Sequence, residues 1–416
     1  MSDGAQGQLL SSGKPPQLPR FNPFSAEFRE TPYAVYRQLR ELNPLHKVLG
    51  MWVVTRHADV MSILRDRSCN ASIIPRQVDN QAARFGRDNA PFQRLAYKSI
   101  VFTENPDHHR LRKMMNIAFS AVAIDGLQDS IETITQALLQ DAHKHGGMDI
   151  IAGLAQPLPL RVMCEWIGLP AEMHATIDTW THAIRFLLEP GLMVKDDFEK
   201  VSQVLDEYMA YLSGVIAERK RNPKQDLISQ LLALEIDGDR LTDEELIFVC
   251  IMCFVAGNET TKSLIGNGIH ALLEQPDQLQ LLQDRPALIA GCVQEVLRFE
   301  TPLQHTKRFA TKDLLLDGQT IKAGDQILLC LGSANRDEQV FAGAERFDIE
   351  RKTKGHLAFG YGMHGCLGAL LAERQMQTVL QRLLDGPRWV RRDEKPSWQT
   401  GSFIVRSLSS LDVQFV

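Results

Sequence analysis

One cysteine set behind a run of glycines constrains this chain more than any other feature. Residues 357–373 read LAFGYGMHGCLGALLAE, with Gly360, Gly362 and Gly365 in G-x-G-x-x-G spacing and Cys366 directly after them. Three chemistries use turns of this kind: a dinucleotide phosphate cradle, an activated thiol nucleophile, or a sulfur bound to a metal.

The dinucleotide reading needs a strand before the glycines, a helix after them, and an acid about 20 residues on that closes a second strand. Asp385 stands at that distance, but Leu367, Leu370, Leu371, Met376, Val379, Leu380 and Leu383 follow one helical face, so Asp385 ends a helix. The preceding KTKGHLAF is also a poor buried strand. A thiol elbow, G-x-C-x-G, requires glycine where His364 stands. What remains is a turn that brings backbone N–H groups to a single sulfur at a helix start. Such a setting favours thiolate and tunes a thiolate bound to iron. One sulfur without a neighbouring ligand pair holds neither zinc nor an iron–sulfur cluster, yet it suffices as the axial ligand of a haem.

Composition is compatible with a large core: 416 residues, 44% hydrophobic and 23% charged. The net charge of -5 argues against nucleic-acid binding. No apolar run reaches the ~20 residues of a bilayer span and no signal pattern opens the chain, so no membrane association is expected. The seven cysteines are scattered, and Cys250 and Cys253 lie in an apolar helical run without a second pair. They read as buried structural thiols in a reducing compartment, the cytoplasm.

Residues 1–20, rich in Gly, Ser, Gln and Pro, read as a disordered tail. GMWVVTRHADV predicts a strand or two and then a helix. Pro75, Gly86 and Pro91 break any pattern over 66–100, which predicts a long mobile loop. Amphipathic helices follow from Asp107 to about His145, and 157–235 is mostly helix interrupted at Pro170, Pro190 and Pro223. Thr242 and Glu245 form a capping box for a helix over 242–274, a rod of ~50 Å. Pro286 opens another helix, to about Glu300. DLLLDGQTIKAGDQILLCL predicts a hairpin turning at Asp317-Gly318, and SLDVQFV a final strand. The fold class is mainly α with a minor β portion.

The motif F-G-x-G-x-H-x-C-x-G, Phe359 to Gly368, resembles the haem-binding loop of the cytochrome P450 family at every fixed position. EVLR (Glu295–Arg298) is similar to its E-x-x-R motif, AGNETT (Ala256–Thr261) to its oxygen-activation motif, and DHHRLR (Asp107–Arg112) to its haem-propionate segment. The resemblance runs from about residue 24 to the C-terminus. It implies a single P450 haem domain over 21–416, of the soluble bacterial type, with a haem b on Cys366 beside Phe359, Gly368 and Ala256.

The resemblance further assigns roles. Glu259 and Thr260 become the acid–alcohol pair that supplies protons for oxygen activation. AGNETT is poor helix material, so Thr260 is expected to back-bond and open the helix locally. His108, Arg112, Arg308 and His364 become propionate partners. Glu295 and Arg298, which alone could be an ordinary surface pair, join Arg346 in a structural cluster. The 70–100 segment, Met252, Val255, Leu303, Gln304, His305, Phe403 and Ile404 map near the substrate. Gln304 and His305 are polar there, which suggests a substrate with a hydroxyl, amide or acid group.

The implied activity is insertion of one oxygen atom, as hydroxylation or epoxidation, into a mostly apolar small molecule, with a place in secondary metabolism. Two electrons would come from a ferredoxin-type donor with its reductase, docking near the basic runs RLRK (110–113) and RKTK (351–354). The intact acid–alcohol pair argues against a peroxide-driven enzyme. The retained cysteine and E-x-x-R pair argue against a non-catalytic scaffold.

Overall fold

The computed structural model describes residues 20–48, 50–86, 90–392 and 396–416. The expected disordered tail falls almost wholly outside them. The protein is mainly α with a minor β portion, organised around one helix, Asp243–Glu274. Its start is the capping box: the Thr242 hydroxyl accepts from Glu245 N–H at 3.2 Å while Glu245 accepts from Thr242 N–H at 2.9 Å. At 32 residues it spans ~48 Å. It packs against helices Pro157–Ile167, Lys195–Arg221, Ile289–Phe299 and Ala369–Leu384. By length and composition this helix could cross a membrane, contrary to the sequence expectation, but 72% of its apolar window is buried inside the protein. Its hydrophobicity therefore serves the core.

Five strands form the larger sheet, in the order Leu45–Val48, Met51–Val54, Gln326–Cys330, His305–Ala310, Cys69–Asn70. Only the pairing of Met51–Val54 with Gln326–Cys330 is parallel. The predicted hairpin turns at Asp317 and Gly318, with φ of 46° and 71°, the two left-handed residues of a type I′ turn. The final strand, Asp412–Phe415, pairs with Gly147–Asp149 and Trp389–Arg391.

The segment 66–100 is not a long loop. It holds helices Ile73–Phe85 and Ala90–Lys98. The residues that suggested irregularity punctuate these helices instead. Pro75 lies in the first turn of one and Pro91 at the second position of the other, where a missing N–H breaks no helical bond. Gly86 caps the first helix in the left-handed region at φ 63°.

Candidate active site

The cysteine loop is held by its own backbone. Cys366 N–H donates to the Phe359 carbonyl at 2.8 Å, and Gly360 and Gly362 adopt φ of 66° and 73°. A Cβ on Gly362 would come within 2.9 Å of the Leu64 carbonyl oxygen, so that position has no room for a side chain. Cys366 keeps solvent exposure and lines a cavity of ≈ 350 Å³, while protein fills most of its surroundings. Burial pushes its thiol pKa up, against the Gly368 N–H and the Arg112 charge, which pull it down. The turn alone does not make the expected thiolate. A free nucleophile is disfavoured, and a sulfur that awaits a metal cation fits.

The donors around this cavity are only partly satisfied by the protein. His108 Nε2 and His364 Nδ1 are buried without a hydrogen-bond partner, and the two rings lie 4.5 Å apart. His364 Nε2 stands 3.3 Å from Glu104 Oε1. Arg308 is buried, with its Nη1 donating to the Lys307 carbonyl at 2.8 Å, and burial lowers its pKa to about 10. Arg112 Nη1 donates to the Gly365 carbonyl at 2.7 Å. Neither arginine forms an ion pair among the described residues. The buried Arg308 guanidinium has Glu104 nearby but no direct ion pair, so this donor set fits a dianionic group such as a haem with its two propionates. Ala256, Phe359 and Gly368 line the same cavity.

Thr260 also lines it and back-bonds as expected, donating to the Ala256 carbonyl at 2.7 Å. The helix nevertheless stays continuous through AGNETT and does not open. Glu259 is not in the cavity wall. Its carboxylate is 2.6 Å from Lys262 Nζ, one turn along, and Lys262 is 5% exposed. The sequence reading missed Lys262, although the i, i+3 spacing was visible. Acid and alcohol are thus neighbours in sequence that face different surroundings.

Glu295 and Arg298 are fully buried and doubly bonded, at 2.7 and 2.8 Å. The third arginine is not Arg346. Its side chain is 79% exposed and reaches only Asp348, contributing its carbonyl to Arg298. Arg351 takes the place, with Nε 3.1 Å from Glu295 Oε1. That removes Arg351 from the basic docking surface. In RLRK, Arg110 pairs with Asp239 and Glu245, and Lys113 with Asp237. Lys352 and Lys354 remain exposed.

Of the expected substrate positions, Met252, Leu303, His305 and Ile404 line the cavity, together with Ile73 and Ile74 of the missed helix. Val255, Gln304 and Phe403 do not. Gln304 spends its amide on the Thr301 carbonyl at 2.7 Å and on Tyr36 at 3.1 Å. His305 spends Nδ1 on the Phe403 carbonyl at 2.8 Å and Nε2 on the Tyr36 hydroxyl at 2.9 Å. Every side-chain polar atom of the two therefore already has a partner within the protein. Cys253 joins the wall, with burial pushing its thiol up to about 12, and no metal cluster exists among the described residues.

Comparison with known families gives a match over residues 171–409 to the sequence model described as Cytochrome P450. The chain belongs to the cytochrome P450 family. It is 33% identical over 406 residues to the "Polyketide biosynthesis cytochrome P450 PksS" of Bacillus subtilis (strain 168), covering 94% of this chain and 98% of that one. It is 32% identical over 427 residues to the "Cytochrome P450 monooxygenase PikC" of Streptomyces venezuelae, covering 98% and 96%. Among solved structures, P450BioI in complex with an acyl carrier protein ligated to hexadec-9Z-enoic acid superposes with a TM-score of 0.86 at 32% identity, covering 94% of this chain and all of that one. CalO2 gives 0.89 at 30% identity, covering 96% and 99%. This P450 is an oxidoreductase of the monooxygenase class, and the family implies a haem-iron cofactor, a redox partner and a small-molecule substrate.

Proposed function

We propose that this P450 binds haem b through Cys366 and hydroxylates or epoxidises a mostly apolar small molecule, using two electrons from a ferredoxin-type donor. One observation carries the reading. A single cavity gathers the Cys366 sulfur, the orphan donors of His108 and His364, the unpaired guanidinium of Arg308 and the Thr260 hydroxyl.

The residues divide the work. Cys366 would hold the iron, and His108, Arg112, Arg308 and His364 would hold the propionates. A haem held there would supply dioxygen activation, with the thiolate ligand favouring O–O cleavage. Thr260 spends its own proton on Ala256, so its lone pairs are free to hold a water at the cavity wall. Glu259, outside the cavity wall and paired with Lys262, would pass protons inward on leaving that partner. Phe102, Phe248, Met252, Leu303 and Ile404 give the cavity an apolar wall that excludes bulk water. A tailoring role in secondary metabolism is supported by a relative whose name refers to polyketide biosynthesis.

Cys366→Ser tests the assignment. The reduced, carbon-monoxide-treated wild type should give the red-shifted band of thiolate-ligated haem, and the variant should lose it. A variant that keeps the band would mean that another ligand holds the iron.

A further inference from the structure

One cation of the cavity has no task in this scheme. Lys307 lines the wall with Cys366 and Thr260 but belongs to neither the metal nor the propionate group. Along the strand His305–Ala310, successive side chains alternate between faces. Arg308 turns toward Glu104, whereas Lys307 shares the other face with His305. Its ammonium forms no ion pair or hydrogen bond among the described residues and lies over the Phe403 ring, 5.1 Å from its centre.

The acid acting on Lys307 is Glu189, which is already occupied. The buried Glu189 carboxylate accepts from the Ser402 hydroxyl and from Phe403 N–H at 3.1 Å. A second cation, Arg185, packs against Gly401 with its Nε buried and unpartnered. Two cations thus flank the 401–403 turn against one carboxylate that is spent on other donors. Burial lowers the Lys307 pKa, so its charge is held there at a cost that a bound anion would offset.

We propose that Lys307 anchors an anionic group, carboxylate or phosphate, carried by an otherwise apolar substrate. The inference rests on the monooxygenase reading above and names its substrate class. The polar contact that Gln304 and His305 cannot make is supplied two residues further on. The anion has two sources of the same chemistry: a carboxylate of the substrate itself, or the phosphate of a pantetheine arm that carries it as a thioester.

The test is calorimetric titration of the holoenzyme at low salt with dodecanoate, methyl dodecanoate, dodecanol and S-dodecanoyl phosphopantetheine. Octanoate and hexadecanoate extend the series in chain length. Wild type should bind an anionic probe about tenfold or more tightly than the alcohol, the worth of one charge-assisted contact. Lys307→Met should erase that preference while keeping alcohol affinity and melting temperature, and Lys307→Arg should retain it. A preference confined to the phosphopantetheine thioester assigns the anion to a carrier arm and still supports the anchor. Equal binding of acids and alcohol, a preference that survives Lys307→Met, or no binding of any anion in the series overturns it. Because calorimetry reads binding alone, a missing thiolate band in the carbon-monoxide spectrum would fail the haem reading separately.

Discussion

Arg351 and Arg298 converge on one oxygen of Glu295, at 3.1 and 2.7 Å, and that carboxylate has no solvent exposure. Thr353 Oγ1 and Asp348 N–H complete its shell at 3.0 Å each. Arg298 in turn donates to the carbonyls of Asn335, Ala344 and Arg346. The helix Ile289–Phe299 is thereby fastened to the irregular chain that leads into the cysteine loop. A carboxylate buried this deeply is tolerable only while every partner is present.

Arg351→Ala should therefore destabilise the fold by about 2–3 kcal/mol, the usual effect of stripping a partner from a buried charge. Arg346→Ala should stay within about 0.5 kcal/mol, as for other exposed side chains. Urea denaturation of the two variants compares them directly. Equal losses would mean that the two arginines share the cluster.

The contrast between these arginines shows what the sequence could and could not yield. Glu295 and Arg298 are one helical turn apart, so local spacing pairs them. The third arginine arrives from irregular chain, where several candidates lie within a few residues and only tertiary packing selects one. The cysteine loop and the long helix were legible because each is written in contiguous residues: positive-φ glycines around Cys366, and a capping box at Thr242 and Glu245. Helices Ile73–Phe85 and Ala90–Lys98 were missed because Pro75, Pro91 and Gly86 mark helix ends as well as loops. The spent polarity of Gln304 and His305 was invisible, since Tyr36 lies far away in sequence.

Acid should weaken this fold through two buried histidines, His305 in the cavity wall and His356 before the cysteine loop. Burial lowers the pKa of His305 and of His356 to about 4, from an ordinary 6.5. His356 Nδ1 accepts from Ala358 N–H at 3.3 Å while its Nε2 meets Gln294 Oε1 at 3.0 Å, an arrangement that needs the neutral ring. Between those two pKa values the unfolded chain binds more protons than the folded one. Stability is therefore complete above about pH 6.5 and falls as pH drops toward 4. Plotting the urea midpoint against pH should give a shallower acid slope for His305→Gln and for His356→Gln. Slopes identical to wild type would place the acid sensitivity elsewhere.

Reduction by a ferredoxin should depend on exposed lysines rather than on the whole of each basic run. Arg351 is committed to the buried Glu295 and Arg110 to Asp239 and Glu245, which leaves Lys352 and Lys354 as exposed charges near the cysteine loop in sequence. Charge reversal of both should slow reduction about tenfold at low salt and have little effect at high salt, because screening removes steering between exposed charges. Stopped-flow reduction across a salt series checks this. A donor that reduces the variant at the wild-type rate at low salt docks by other contacts.

Thr260→Ala should separate oxygen consumption from product formation. The Thr260 hydroxyl donates to the Ala256 carbonyl at 2.7 Å, so within the cavity it presents lone pairs and acts as an acceptor. On the proposed function its contribution would be to fix a water at the cavity wall, with Glu259 supplying protons once it parts from Lys262. Well-placed general acid help of this kind is worth about 10²–10⁴-fold in rate. Alanine keeps the helix, the cavity wall and the propionate donors, so haem content and reduction should be unaffected. The ratio of product to O₂ consumed should fall, and hydrogen peroxide should be released in its place. Thr260→Ser, which keeps the hydroxyl and its back-bond, should restore most of the coupling. If Thr260→Ala retains wild-type coupling at full haem content, the ordered water is held by another group. The substrate's own polar atom would then be the first to examine.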